Sequence, residues 1–85
     1  MPISFLPLSQ KLKRKIDKYS LEKQFKKQVT LLSENPKHPS LNLELLEPKT
    51  HGIYSFRINL KFRALFIFHN DINSFEVLNI TVHYR

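Results

Sequence analysis

The stretch that decides the fold is IYSFRINLKFRALFIFH, residues 53–69. On either side of the short interruption NLK at residues 59–61, apolar residues recur at every second position, at 54, 56 and 58 before it and at 62, 64, 66 and 68 after it. A period of two is typical of half-buried strands, and a connection of three residues is short enough for a hairpin. The stretch therefore predicts two antiparallel strands, over residues 53–59 and 62–69.

The same period of two extends in both directions from this hairpin. It predicts strands over residues 41–47 and 75–83, and the linkers between strands, PKTHG and NDINS, are short enough for an antiparallel meander. A further short strand is expected around residues 3–6, where Pro7 limits its length. The sheet is thus expected to have four or five strands.

Two helices are predicted ahead of the sheet. The first begins near residue 9 and has an apolar residue at every fourth position, namely Leu8, Leu12 and Ile16. The second is expected to begin with Ser20 as its N-cap and to end before Pro36, with one apolar face formed by Leu21, Phe25, Val29 and Leu32. A helical hairpin followed by strands predicts an α+β two-layer sandwich, with both helices on one sheet face and a single domain over residues 1–85.

The composition favours a polyanionic partner. The chain has 14 Lys and Arg against 7 Asp and Glu, a formal net charge of +7 and a pI near 9.9, which attracts nucleic acid or an acidic protein segment. There is no Cys, so disulfides and thiolate zinc sites are excluded. The His residues show no metal-ligand spacing, so we expect neither a metal nor a cofactor. Without a long apolar run or a signal-peptide pattern, no membrane association and a cytoplasmic location are expected.

Alternation also sorts the side chains of each strand between a helix-facing side and an open side. The core is expected to receive Leu41, Leu43 and Leu45 from the first long strand and Leu78, Ile80 and Val82 from the last. Four residues able to act on a phosphodiester are then expected on the open side: Glu44, Arg57, Arg63 and His83. Two apolar residues, Leu65 and Ile67, also face that side, which favours a bound partner over water.

The two arginines provide the sharpest expectation. If NLK is a three-residue loop, Arg57 and Arg63 lie directly opposite each other, with Cβ atoms roughly 5 Å apart. Like charges so placed destabilise a sheet unless an anion binds to them. A two-residue loop would instead place the arginines on opposite faces.

These side chains are sufficient for cleaving RNA by attack of a ribose 2′-hydroxyl on the adjacent phosphate. Glu44 is the candidate base for the hydroxyl proton, and His83 is the candidate acid for the leaving 5′ oxygen. Arg57 and Arg63 are candidates for binding the phosphate through bidentate donors. We also expect Tyr84 to stack on a base or to orient the phosphate.

Other basic residues are candidates for contacts with the RNA backbone: Lys61, Arg85, Lys11, Arg14 and Lys15. The lysines and arginine of the first helix are equally explained as a solvated helix face. Glu44 has the alternative role of neutralising one of the arginines. Glu47 is a rival base if its strand contains a bulge.

Three stretches of the chain resemble toxins of the RelE/ParE superfamily, from bacterial type II toxin-antitoxin systems. LLSENPKHPSLNLELLE, residues 31–47, resembles the end of the family's helical hairpin and the entry into its sheet. GIYSFRINLKFRALF, residues 52–66, is similar to its central motif, an aromatic-Ser-x-Arg-Ile strand followed by a turn and an Arg-containing strand. NITVHYR, residues 79–85, resembles the close of its last strand, especially the His-Tyr ending of the YoeB-like branch.

The resemblance implies a ribosome-dependent, metal-independent endoribonuclease that cleaves mRNA in the ribosomal A site. It also implies an antitoxin partner whose extended, acidic C-terminal segment wraps the toxin. By this resemblance Glu44 takes the place of the base, Arg63 that of the phosphate-binding arginine, and His83 with Tyr84 that of the terminal acid and its neighbour. Arg57 matches an arginine of the preceding strand.

The resemblance leaves other functions open. Members of the superfamily without the catalytic set poison DNA gyrase, and others have lost activity. The tail of this chain is also shorter than in relatives that end in a longer Ser-His-x-x-Tyr type of motif. A gyrase inhibitor and an inactive basic module that binds RNA or an antitoxin are therefore the alternative functions.

Overall fold

A computed structural model describes residues 4–82, in which five strands form one mixed sheet. The strands are β1 (Ser4–Phe5), β2 (Glu44–Leu45), β3 (Tyr54–Arg57), β4 (Phe62–His69) and β5 (Ser74–Val82). Their spatial order is β1-β5-β4-β3-β2. β1 runs parallel to β5, and the other neighbours are antiparallel. The strands from β2 to β5 thus form the predicted meander, and β1 adds the fifth strand beside β5.

Two helices, α1 (Gln10–Lys18) and α2 (Glu22–Glu34), precede the meander. Ser9 caps α1, since its Oγ accepts the Leu12 N–H at 3.2 Å. α2 ends before Pro36, as predicted. Within residues 4–82, neither helix is long and apolar enough to cross a bilayer.

Ser20 ends the first helix and does not cap the second, so the predicted role of Ser20 is wrong. Its φ of 54° is left-handed, and its N–H donates to the Asp17 carbonyl at 3.1 Å. The Leu21 N–H donates to the Ile16 carbonyl at 2.9 Å. This pair of bonds is a Schellman motif, which satisfies the last carbonyls of α1 and turns the chain sharply into α2.

The core lies between the helices and one face of the sheet. It consists of buried apolar residues from both layers: Leu12, Ile16, Leu21, Phe25, Leu32, Leu41, Phe56, Ile58, Phe62, Ala64, Phe66, Phe75, Val77 and Ile80. Aromatic rings connect the helices to the sheet, with the centroids of Phe25 and Phe56 6.1 Å apart, and within the sheet the centroids of Phe56 and Phe66 are 5.7 Å apart. The predicted α+β sandwich with a helical hairpin on one sheet face is therefore confirmed.

The strand predicted over residues 41–47 is much shorter in the structure. Residues Pro39–Leu41 form a 3₁₀ turn that ends at Asn42, whose φ of 44° is left-handed. Leu41 is fully buried, but Leu43 and Leu45 are each 38% exposed. The expectation that all three leucines enter the core is wrong for the last two: Leu45 pairs with the core-facing Tyr54, but β2 lies at the sheet edge, where little packs over it.

A β-bulge changes the side-chain pattern of β5. Leu65 pairs with Asn79, whereas the next residue of β4, Phe66, pairs with Val77, so Leu78 is an extra residue. Val77 is consequently 6% exposed and Leu78 is 40% exposed. The prediction that Leu78 enters the core is wrong, whereas Ile80 is buried as expected and Val82 packs against the core.

Candidate functional site

The hairpin between β3 and β4 places Arg57 directly opposite Arg63. The loop has three residues, which is the length for which the two arginines were expected to lie opposite each other. The Ile58 N–H donates to the Phe62 carbonyl at 2.9 Å. The Asn59 side chain closes the turn, since its Oδ1 accepts the Phe62 N–H at 2.8 Å. The core residue Phe56 lies between Ser55 and Arg57 in sequence, so both arginines face away from the helices. The two guanidinium groups therefore belong to the open face of the sheet.

Glu44 lies on the same face. It pairs with Ser55, which in turn pairs with Leu65. Ser55 is two residues before Arg57 in β3, so Glu44 and Arg57 are diagonal neighbours, with a backbone spacing of roughly 7–8 Å. Glu44 is exposed. The open face thus brings a carboxylate and two guanidinium groups together from three strands.

Arg63 is buried, which the sequence did not lead us to expect of an open-face residue. Its exposed fraction is 4%, and its guanidinium is bound within the protein. Nε donates to Ser55 Oγ at 3.1 Å, and Nη2 donates to Ser55 Oγ at 2.8 Å and to the Asn42 carbonyl at 2.6 Å. Nη1 is buried and has no hydrogen-bond partner within residues 4–82. One nitrogen of a fully oriented guanidinium is therefore left to bind another acceptor.

The electrostatic environment of Arg63 follows from this burial. Desolvation lowers the pKa of the Arg63 guanidinium, Glu44 raises this pKa, and the charge of Arg57 lowers it. An arginine so placed still remains a cation at neutral pH. The site thus holds a buried positive charge beside a second one, which suits an anion.

The helical layer supports the site from the other side of the sheet. Gln28 of α2 is 6% exposed. Its Nε2 donates to the Arg57 carbonyl at 2.8 Å and to the Ser40 carbonyl at 3.2 Å. One amide therefore ties the strand that carries Arg57 to the segment that leads toward Glu44.

The remaining predicted site residues lie apart from this cluster or outside the described residues. Lys61 is exposed in the β3–β4 loop, with its Nζ 5.6 Å from the centroid of the Phe62 ring. The three basic residues predicted on the first helix belong to the helical layer, on the far side of the sheet from Arg57: Lys11, Arg14 and Lys15. The predicted residues of the tail, His83, Tyr84 and Arg85, lie outside residues 4–82.

The structure bears on two alternatives for the acidic residues: that Glu44 neutralises an arginine, and that Glu47 is the base. Within residues 4–82 the one ion pair shorter than 4 Å joins His69 Nε2 to Glu76 Oε1, at 2.8 Å. Glu44 therefore does not neutralise either arginine through a direct contact there. Glu47 is exposed beyond the end of β2, and the bulge of the sheet lies in β5.

Within residues 4–82, no group of three or more His, Asp or Glu side chains is placed to hold a metal ion.

Three residues of the site were missed from the sequence. Ser55 was noted only as part of a motif, although a small hydroxyl residue between two aromatic ones on a strand adjacent to Arg63 is a usable signal. Asn42 contributes its backbone carbonyl, which no side-chain pattern reveals. Gln28 looked like one more polar residue on a helix, because its burial depends on packing between layers.

The described architecture has two helices on one face of a five-stranded mixed sheet and a basic cluster on the other face. Among solved structures, the chain is similar to a YoeB/ParE toxin from Agrobacterium tumefaciens, with a TM-score of 0.71 and 16% sequence identity over 99% of this chain and 100% of that one. No protein-family model matches the chain. No curated protein matches it either. At this identity the likeness establishes the fold that the resemblance implied.

Proposed function

We propose that this chain is the toxin of a type II toxin-antitoxin pair, and that it acts in the cytoplasm as a metal-independent endoribonuclease on mRNA in the ribosomal A site. The likeness to a YoeB/ParE toxin over the whole chain supports the first part. The second part depends on the cluster formed by Glu44, Arg57 and Arg63 on the open face.

The observation that carries the proposal is the free nitrogen of Arg63. The side chain is 4% exposed, yet its Nη1 has no acceptor within residues 4–82. An unsatisfied charged donor is costly to bury, so Nη1 favours binding a further acceptor. Because Arg57 lies directly opposite, that molecule is expected to be an anion. A phosphate of RNA meets both requirements.

The proposed reaction uses two proton transfers. Glu44 takes the proton of a ribose 2′-hydroxyl, whose oxygen forms a bond to the adjacent phosphorus. The bond from phosphorus to the 5′ oxygen breaks, and His83 gives its proton to that oxygen. The products are a 2′,3′-cyclic phosphate and a free 5′-hydroxyl. Arg57 and Arg63 stabilise the negative charge that develops on the phosphate.

The proposed partners follow from charge. The net charge of +7 favours both ribosomal RNA and the acidic C-terminal segment of an antitoxin. Lys11, Arg14 and Lys15 are proposed to contact the ribosomal RNA backbone from the helical layer. Lys61 and Arg85 are proposed to contact the RNA next to the cleaved bond, and Tyr84 to stack on a base or orient its phosphate.

A second candidate function is a non-catalytic module that binds RNA or an antitoxin. The bonds from Arg63 to Ser55 and Asn42 favour it, because a guanidinium that connects β4, β3 and the segment before β2 is explained by stability alone. A gyrase inhibitor is the third candidate, since the structural neighbour carries the ParE name as well.

The first test is induction of the gene in cells without an antitoxin, with mapping of mRNA 5′ ends. The second test is cleavage of mRNA by the purified protein on programmed ribosomes. The proposal expects growth arrest and cuts within translated codons. Glu44→Gln should slow cleavage by about 10²- to 10⁴-fold, as for loss of a general base. Glu47→Gln is the matched control, because Glu47 is another exposed carboxylate three residues away, and it should leave cleavage unchanged.

Each alternative has its own outcome in this experiment. Arrest with DNA breaks and intact mRNA identifies a gyrase inhibitor and contradicts the proposal. Binding of RNA or ribosomes without any cut identifies the non-catalytic module. Slow cleavage by Glu47→Gln with normal cleavage by Glu44→Gln moves the base to the rival residue. A His83→Ala, Arg63→Ala double variant that cleaves like the wild type also contradicts the mechanism.

A further inference from the structure

We propose that Ser55 is a positioning residue: it fixes the guanidinium of Arg63 so that Nη1 alone is presented to the phosphate. This inference rests on the proposed function for its catalytic consequence, but not for its geometry. Ser55 itself is 1% exposed and lies between Glu44 and Leu65 in the sheet. It therefore touches the phosphate only through the arginine that it holds.

The hydrogen bonds use every donor on one edge of the guanidinium. A guanidinium has five N–H groups in a rigid plane, one on Nε and two on each terminal nitrogen. Ser55 Oγ accepts from Nε at 3.1 Å and from Nη2 at 2.8 Å. The Asn42 carbonyl accepts from Nη2 at 2.6 Å. With the Nε and Nη2 donors satisfied, only the two hydrogens of Nη1 remain.

This geometry changes the contact expected from the sequence. Arginine commonly binds a phosphate through two nitrogens at once. In this site the edge formed by Nε and Nη2 faces Ser55, so Arg63 can contact a phosphate only through Nη1. Nη1 is buried, so its bond to a phosphate forms in a poorly solvated place, where it is stronger.

Ser55 also opposes a force that acts on Arg63. Arg57 lies directly opposite, and repulsion between the two charges favours swinging the Arg63 side chain away from the sheet. The Ser55 hydroxyl holds Nε, the nitrogen nearest the backbone, and so restrains the last rotatable bonds of the side chain. Loss of that hydroxyl should release Nε, while Nη2 keeps its bonds to the Asn42 carbonyl at 2.6 Å and the Ser55 carbonyl at 3.3 Å.

The first measurement is the rate of hydrogen exchange at the Arg63 Nε–H, detected by nitrogen-15 NMR. It uses the purified full chain, with and without inorganic phosphate. Ser55→Ala should speed this exchange by about 10-fold or more, the factor for losing a hydrogen bond to a charged group. Ser55→Thr keeps the hydroxyl and should keep the protection. Unchanged exchange in Ser55→Ala overturns the proposal.

Ser74→Ala is the matched control. Ser74 is another buried strand serine, 4% exposed, and its Oγ is 2.7 Å from the Ser4 Oγ. Within residues 4–82 its hydroxyl makes no hydrogen bond to an arginine. This variant also loses a buried hydroxyl, so it should lose stability without changing exchange at Arg63. If Ser74→Ala speeds exchange at Arg63 as much as Ser55→Ala does, the effect is general loosening, and the positioning role is contradicted.

The second measurement is single-turnover cleavage of mRNA on saturating programmed ribosomes, corrected for the folded fraction. Ser55→Ala should lower the rate by about 10- to 100-fold, the usual cost of misplacing a catalytic group. Ser55→Thr should restore most of it. Fast exchange at Arg63 together with a wild-type cleavage rate contradicts the catalytic consequence.

The two measurements separate this inference from the proposed function. If the wild-type chain cleaves nothing, the proposed function fails, while the exchange data still decide whether Ser55 orients Arg63. If the wild type cleaves and Ser55→Ala changes neither exchange nor rate, the inference fails and the proposed function stands.

Discussion

Arg57 and Arg63 form a directly opposed pair on neighbouring antiparallel strands, and the two differ in burial. Arg63 is held inside the protein by Ser55 and Asn42, whereas Arg57 is half-buried and makes no ion pair shorter than 4 Å within residues 4–82. The free protein thus holds two positive charges opposite each other at this point of the sheet, and the attraction of Glu44 offsets part of their repulsion. An anion bound at the pair would relieve it.

Removing one charge of the pair should stabilise the free protein while it weakens the site. Arg57→Gln is expected to raise the free energy of unfolding by about 0.2–1 kcal/mol at low salt, the range for cross-strand pairs, and to lower the affinity for RNA. The stabilisation should shrink in about 1 M salt, because screening weakens repulsion. Urea unfolding of the variant and the wild type, at low salt and at about 1 M salt, measures the difference in unfolding free energy.

Lys49→Gln is the control for Arg57→Gln. Lys49 is an exposed cation of the 3₁₀ turn that follows β2, so its loss changes the net charge equally without touching the pair. Equal stabilisation by both variants would assign the effect to net charge and contradict a local repulsion.

Burial of Arg63 should cost stability without making stability depend on pH near neutrality. The pKa of Arg63 is lowered in the folded state, chiefly by desolvation, so the unfolded state binds the proton more tightly. Stability attributable to this group therefore rises only as pH rises through the folded pKa, in a strongly alkaline window. Between about pH 6 and pH 9 the residue stays charged in both states.

The variant Arg63→Met tests whether the contribution of Arg63 to stability depends on pH. The difference in unfolding free energy between it and the wild type should stay constant within error from about pH 6 to pH 9 in urea titrations. A difference that grows or falls across that interval would mean that Arg63 exchanges its proton near neutrality, contrary to the expectation.

Gln28 should contribute more to stability than an ordinary helix residue. Gln28→Ala leaves the Ser40 and Arg57 carbonyls without their donor, and we expect a loss of about 1–3 kcal/mol in the free energy of unfolding. Gln24→Ala is the matched control one turn earlier on the exposed surface of α2, and it should change stability by less than about 0.5 kcal/mol. Equal effects of the two substitutions would contradict the role of the buried amide.

The bulge in β5 predicts which of two neighbouring apolar residues supports the core. Val77→Ala should destabilise the protein by about 1.5–3 kcal/mol, because that side chain is buried against the helices. Leu78→Ala should cost less than about 1 kcal/mol, since Leu78 is 40% exposed. Urea unfolding of both variants tests the register, and a larger loss for Leu78→Ala would place the bulge elsewhere.

Long segments with a steady period were predictable from the sequence. The alternation in residues 62–69 gave β4 with its observed bounds, and the spacing of Leu12 and Ile16 gave the buried face of α1. Of the two loop lengths left open for the hairpin, the structure has the three-residue loop, which places Arg57 opposite Arg63. These features depend on interactions between residues close in the chain, which is why local patterns report them.

Local breaks in the regular pattern, and features that depend on distant parts of the chain, were not predictable in the same way. Ser20 looked like an N-cap, yet it closes the preceding helix in a left-handed conformation. Leu43, Leu45 and Leu78 looked like core residues, yet the first two are exposed beside or in the edge strand β2, and the bulge in β5 exposes Leu78. The bulge adds one residue to β5, and Ile80 beyond it is buried as expected.

The sequence by itself determined the two-layer architecture and the excess of positive charge, since these arise from periodicity and composition. Only the tertiary structure decided that Arg63 is buried and bound to Ser55 and the Asn42 carbonyl, and that Gln28 reaches across to β3. The physical reason is that burial and hydrogen bonding of a polar group are set by what packs over it, and those partners are 8 to 29 residues away in the chain.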